Sequence, residues 1–140
     1  MGSSDQSNVF ENMDIAENIS ILLDERYGHR FRIINPRINL YKALEALNAL
    51  ECTDLLKKYP IGKALGKTTH VDQLKIVLAK WFCVNPKVLI LENPHIGFDE
   101  ISILQFHKLI SVFAAKGTAV IIFSTNQNNL MRVCDRTLFL

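Results

Sequence analysis

The sequence predicts an α/β protein whose helices come first and whose small parallel sheet, of about three strands, comes last. Three observations carry that expectation. Ahead of Pro86 the apolar residues recur at helical spacing, and after it two short unbroken runs rich in branched residues appear, VLIL at 88–91 and AVIIF at 119–123. Between those runs lies one more helical pattern, the signature of a strand, helix, strand crossover. The chain has 140 residues, 49% hydrophobic and 21% charged, which suits one compact domain and is too short for two ordinary ones.

Taken in order, Asp14 followed by Glu17 has the spacing of an N-cap with a returning carboxylate, ahead of Ile15, Ile19, Leu22 and Leu23, so a short helix begins there. Residues 24–36 (DERYGHRFRIINP) are charged, aromatic and aperiodic and read as an ordered loop or insertion, with the Asn-Pro pair disfavouring continued helix. Leu40, Ala43, Leu44, Leu47 and Leu50 mark a second helix, residues 54–58 a shorter one, and Val71, Leu74, Leu78, Trp81 and Phe82 a further one capped by Thr69 with Asp72 three residues on. Trp81 and Phe82 are expected in the core. The runs at 88–91 and 119–123 should be buried strands, and Ile101, Leu104, Leu109, Ile110 and Phe113 mark a helix ending at Gly117. A short helix at 128–133 then leads into TLFL at 137–140, the expected third strand.

Sixteen basic against fourteen acidic residues leave a net charge of +2, too little to argue for nucleic acid or a membrane surface. No apolar run approaches the ~18 residues of a membrane span and no leader opens the chain, so it reads as soluble, unsecreted and cytoplasmic. Cys52, Cys83 and Cys134 are an odd number without CxxC spacing, which suggests neither a disulfide framework nor a zinc site. The start MGSSDQ lacks Ser or Thr at position 6 for myristoylation, and residues 1–4 read as a tail or cloning remnant.

Several motifs have bland explanations. GKALGKTT at 62–69 is one residue short of a phosphate-binding loop and follows DLLKKYPI, which is not a buried strand, so Lys67 and Thr68 are expected to be no phosphate site. His29, His70, His95 and His107 lack ligand spacing and read as surface residues, with no metal site. Arg26, Arg30, Arg32 and Arg37, interleaved with Tyr27 and Phe31, could touch nucleic acid but more simply form a solvated loop.

The informative stretch is NPKVLILENPHIGFDE at 85–100, where a buried strand delivers an acidic residue at its carboxyl end and a turn leads to another acid. It resembles the Walker B and D-loop region of ATP-binding cassette (ABC) proteins, usually written close to NPKVLLLDEPTSALD. SNVFENMDIAENISI resembles the segment after the Q-loop, 71–82 the signature helix, and TAVIIFSTNQNNLMRVCDRTLFL the H-loop strand and its sequel. ENISI and NPRINLYKALEAL are similar to the sugar-importer branch, and the resemblance covers about residues 6–140.

That resemblance implies a partial P-loop NTPase fold of ABC type, a single ABC-like domain over 1–140, divided into a Q-loop-side and helical subdomain (5–84) and a Walker B and H-loop α/β half (85–140). It also implies departures. No Walker A segment precedes the Q-loop side, so its phosphate nest and Lys are missing. The signature LSGGQ aligns with TTHVD, placing Thr69, His70, Val71 and Asp72 where glycines would let a helix N-terminus approach phosphate. Glu92 stands at the magnesium-associated Asp, Asn93 at the catalytic Glu and Thr125 at the H-loop His, while Asp99 keeps the D-loop acid and Gln6 aligns with the Q-loop Gln. An amide cannot take a proton from water, so base catalysis is lost at Asn93.

The implied protein is a catalytically inactive module with no catalytic, metal-binding or cofactor-binding residues, not expected to bind ATP or magnesium. It would work through protein contacts with a permease or another ATPase subunit, in a transport or regulatory complex, without entering the membrane. The alternative is the sensory or regulatory domain of a transcription regulator, joined to a DNA-binding domain of LytTR type lying beyond Leu140, through which alone it would meet nucleic acid. Without the Walker A strand, 119–123 and 137–140 are expected to pair directly, and a remaining edge or the exposed face of the 71–82 helix to support a homodimer.

Overall fold

The computed structural model describes residues 8–27, 35–125 and 131–138, with the backbone alone at 24–27. The chain forms two compact units, one ending at Asn85 and one beginning at Pro86.

In the first unit the Asp14–Glu17 pair forms a reciprocal capping box. The Glu17 amide donates to Asp14 Oδ1 at 2.8 Å and the Asp14 amide to Glu17 Oε2 at 2.7 Å, satisfying two amides that the first helical turn would leave unpaired. Helix α1 (Ile15–Tyr27) starts there. It runs on through residues 24–27, which the sequence assigned to a loop, because nothing before Gly28 breaks a helix. The Asn35-Pro36 pair begins the next helix. Asn35 is extended and accepts from the Arg37 amide, and Pro36 takes the first position of α2 (Pro36–Ala49), where a missing N–H costs nothing. Residues 28–34, including His29, Arg30, Phe31 and Arg32, lie outside the described residues.

Helices α3 (Leu55–Lys58) and α4 (His70–Val84) complete the unit, with α1, α2 and α4 packed on one another. Ile15, Ile19, Leu47, Leu55, Ile76 and Leu78 are fully buried. Trp81 is not in this core: at 38% exposure it falls outside the arc of α4 that faces α1 and α2, whereas Phe82 is buried. Lys80 is buried on that arc. Its ammonium donates to the Asn8 carbonyl at 2.8 Å and lies 5.6 Å above the Phe10 ring, and burial lowers its pKa.

The second unit is a strand, helix, strand crossover. Strands β1 (Val88–Glu92) and β2 (Ala119–Phe123) pair in parallel, Val88 with Ala119 through Glu92 with Phe123, and α5 (Glu100–Ala115) packs against β2. Helix α5 stops as expected at Gly117, whose φ is 87°. The Thr118 amide reaches the Phe113 carbonyl at 3.1 Å and the Gly117 amide the Ala114 carbonyl at 2.9 Å, the paired bonds of a Schellman motif.

Two expectations need correcting here. The strands are not buried on both faces: Leu89 and Leu91 are covered, while Val88 and Ile90 are 50% and 61% exposed. The inward stripe of α5 is Ile103, Phe106, Leu109, Ile110 and Phe113, with Ile101 and Leu104 facing out. The sheet is half-open because a single helix against two strands covers only one of its faces. Among the described residues the sheet has two strands. Thr137 and Leu138 have no strand pairing, and Leu138 is 71% exposed, so the closed sheet expected from 137–140 is not formed at these residues. Phe139, Leu140 and residues 126–130 lie outside the described set; 131–133 are helical.

Candidate functional site

The carboxyl ends of β1 and β2 bring three of the singled-out residues together. Glu92 closes β1 with its carboxylate exposed. Asn93 follows in the left-handed region (φ 43°), which Asn tolerates better than most residues. Its amide donates to the Phe123 carbonyl at 2.7 Å, and its Oδ1 accepts the Thr125 amide at 3.2 Å. Asn93 therefore presents a neutral side-chain amide whose oxygen is bonded by the Thr125 N–H.

Beside this pair lies one that the sequence reading missed. His95, assigned to the surface, is 6% exposed, and its Nε2 lies 2.8 Å from Ser124 Oγ. Burial lowers the His95 pKa, favouring the neutral imidazole. The available signal was position: a His just past a strand end and a Ser directly following the partner strand come close when the strands pair in parallel. Turn bonds from Ile96 to Asn93 and from Phe98 to His95, with Gly97 at φ 75°, carry the chain to Asp99. Asp99 is spent structurally as the N-cap of α5. Its Oδ1 accepts the Ser102 amide at 2.8 Å, and the Ser102 hydroxyl together with that amide holds its carboxyl below the usual carboxylate range.

In the first unit the four residues aligned with the signature lie at the start of α4. Thr69 is the N-cap, its Oγ1 accepting the Asp72 amide. His70 is exposed and Val71 half-buried. Asp72 is 2% exposed and turned inward, accepting from the Tyr59 hydroxyl at 2.9 Å and from Lys58 Nζ at 3.2 Å. Burial alone would raise its pKa, but the bonds from Tyr59, Lys58 and Thr69 outweigh that and lower it. The loop 62–69 ahead of α4 follows helix α3, not a strand.

Asn18 is the other residue that sequence reasoning passed over. It is fully buried and binds the chain ahead of α1 from both ends of its amide, accepting the Phe10 N–H at 2.7 Å and donating to the Phe10 and Asp14 carbonyls at 2.9 Å each. An Asn sharing the buried helix face of Ile15 and Ile19 was the available signal. His107 Nε2 is also buried, with no partner among the described residues. No cluster of three His, Cys, Asp or Glu that could hold a metal occurs among the described residues, and none of their helices is long and apolar enough to cross a membrane. The strand ends thus carry one exposed carboxylate, Glu92, the Asn93 amide bonded to Thr125, and the buried His95–Ser124 pair.

The fold is that of an ABC cassette. A dimeric post-hydrolysis state of an ATP-binding cassette bound to ADP and Pi superposes with a TM-score of 0.66 at 18% identity, covering 89% of this chain and 51% of that one. The ADP conformation of an ATP-binding cassette of an ABC transporter gives 0.65 at 16% identity, over 89% and 50%. At such identities the likeness speaks for the fold alone. No family model matches the sequence.

Curated relatives narrow the class. A ribose import ATP-binding protein of Agrobacterium fabrum is 31% identical over 93% of this chain and 25% of its own length, and one of Streptomyces avermitilis is 35% identical over 91% and 24%. A xylose import ATP-binding protein of Thermoanaerobacter pseudethanolicus is 29% identical over 90% and 24%. The chain belongs to the ABC ATP-binding family, in its sugar-importer branch. It spans about a quarter of the length of these relatives and about half of each solved cassette.

Proposed function

We propose that residues 1–140 form a single ABC-like domain (5–84 and 85–140 as its two parts) that does not hydrolyse ATP and serves a sugar-import assembly through protein contacts. The implied partners are a permease or a second ATP-binding subunit, on the cytoplasmic side of the membrane. The observation that carries the reading is Asn93, an amide in the general base's place whose Oδ1 is bonded to the Thr125 amide. The inward-turned Asp72 supports it, because its carboxylate is buried and bonded to Tyr59 and Lys58. The relatives named above are import proteins, and no observation favours the DNA-regulator reading.

Magnesium-dependent phosphate release from the purified chain is the test. Background rates are expected, unchanged in Asn93→Ala. Turnover in the range of active ATPases, lost in Glu92→Ala or Asn93→Ala, overturns the proposal.

A further inference from the structure

Past the carboxyl ends of β1 and β2, where open α/β sheets bind their ligands, the second unit gathers a hydroxyl, an imidazole and a side-chain amide. Ser124 Oγ lies 2.8 Å from His95 Nε2, within the reach at which a base takes a nucleophile's proton. Burial favours the neutral His95 ring, and with its one proton on Nδ1 that ring turns a lone pair toward the hydroxyl. Ser124 is half-buried, so the nucleophile stands nearer to solvent than its base. Asn93 brackets this serine along the chain: its N–H donates to the Phe123 carbonyl at 2.7 Å, and its Oδ1 accepts the Thr125 N–H at 3.2 Å. The second bond sets the rotation of the amide, so its Nδ2 protons are what Asn93 has to offer a ligand.

We propose that Ser124, His95 and Asn93 form a site that cleaves small uncharged carboxylic esters. Ser124 Oγ bonds to the acyl carbon while its proton passes to His95 Nε2, and Asn93 Nδ2 donates to the oxyanion that forms, a role side-chain amides fill at such intermediates. The tetrahedral species expels the alcohol, which takes the proton from His95. Water then attacks the acyl–Ser124 ester and gives a proton to His95 Nε2, and the carboxylic acid departs as Ser124 Oγ regains a proton from the imidazole. Among the described residues no carboxylate bonds to His95, which sets turnover well below that of a full triad. Substrate class follows from the neighbours. The exposed Glu92 carboxylate at the end of β1 disfavours anionic acyl groups, and Ile96, 65% exposed on the turn beside His95, gives a short acyl chain an apolar contact.

This site goes beyond the proposed function and depends neither on ATP nor on a protein partner. The test treats the purified full chain with a fluorophosphonate and, separately, with para-nitrophenyl acetate. Peptide mass mapping of the unmodified chain is expected to place the phosphonyl group on Ser124. Nitrophenolate release is expected to fall to background in Ser124→Ala, about a hundredfold in His95→Gln, and about a hundredfold in kcat with KM little changed in Asn93→Asp. The aspartate keeps an acceptor for the Thr125 N–H, so its loss of rate reports the missing donor and not a missing structural bond. Ser111→Ala, which removes a hydroxyl bonded to the His107 carbonyl on α5, is expected to leave both readouts unchanged. An unlabelled chain, a label on any other residue, ester release no faster than that of Ser124→Ala, or Ser124 labelled at an equal rate in His95→Gln would each overturn the proposal. Mapping needs no variant, so it decides even where a substitution fails to fold. The phosphate-release test of the non-hydrolytic reading stands or fails separately from every one of these outcomes.

Discussion

Asn18→Ala should be among the more damaging single substitutions in the first unit, and the structure sets its size. The Phe10 N–H loses the Asn18 oxygen that it meets at 2.7 Å, while the Phe10 and Asp14 carbonyls lose bonds of 2.9 Å but each keeps a backbone donor, Met13 N and Asn18 N respectively. One orphaned donor costs about 1–3 kcal/mol, and two further bonds about 1 kcal/mol each. Phe10 is 47% exposed, so water can reach part of the freed group. The expected loss is therefore about 2–3 kcal/mol, a sizeable share of the roughly 5–15 kcal/mol typical of a domain. Asn18→Asp keeps an acceptor for Phe10 N–H but turns a carboxylate oxygen toward two carbonyls; it should match or exceed the alanine loss at pH 7 and recover part of it in acid, where the protonated carboxyl can donate. Urea denaturation followed by circular dichroism measures both, the midpoint moving at constant slope. The exposed Asn48→Ala serves as control. A loss under about 0.5 kcal/mol for Asn18→Ala, the range of ordinary surface changes, or an Asp variant as stable as the native chain, would refute the reasoning.

Other outcomes follow from the same packing. Burial depresses the His95 pKa in the folded state, so the unfolded chain binds the proton more readily. Stability is then full above the ordinary value of 6.5 and falls as pH drops below it, a slope that His95→Gln should flatten in denaturant titrations at stepped pH. Tyr59→Phe removes a donor from the buried Asp72 carboxylate and should cost about 1.5–3 kcal/mol, whereas Lys58→Ala, whose side chain is 55% exposed, should cost under about 1 kcal/mol; equal losses would contradict this ranking. The Cys52 thiol, its pKa pushed up to about 11 by burial, should react with Ellman's reagent at pH 8 only after unfolding.

What the sequence disclosed was what local chemistry decides. Asp14 with Glu17, Thr69 with Asp72 and Gly117 each act within four residues of themselves, and each marks the helix end it was expected to mark. Asn35-Pro36 interrupts helix as expected, and the same pair also begins α2, with Asn35 as its cap. Burial was the harder quantity, since it depends on how many layers assemble. Ile101 and Leu104 satisfy the helical period as well as Ile103 and Phe106 do, and only the presence of one covering layer in place of two separates them. At the candidate site the strand-end residues were legible as positions, but their pairing was not. That Asn93 would bind the Thr125 amide and His95 the Ser124 hydroxyl depends on a register spanning the whole crossover.

That register also fixes an order of events in folding. Val88 meets Ala119, thirty-one positions later, with α5 the one element between their strands. Closing so long an unstructured loop is entropically expensive and slow, but once α5 has formed the segment left to close consists of two short connections. The helix termini thus govern a pairing in which they take no part. Gly117 stands two residues before β2 with its backbone at φ 87°, and Gly117→Ala would strain the helix stop itself. Its further effect should be kinetic, a slower pairing of β1 with β2 in refolding, because strands separated by so long a stretch depend on the intervening helix being formed and ended in register.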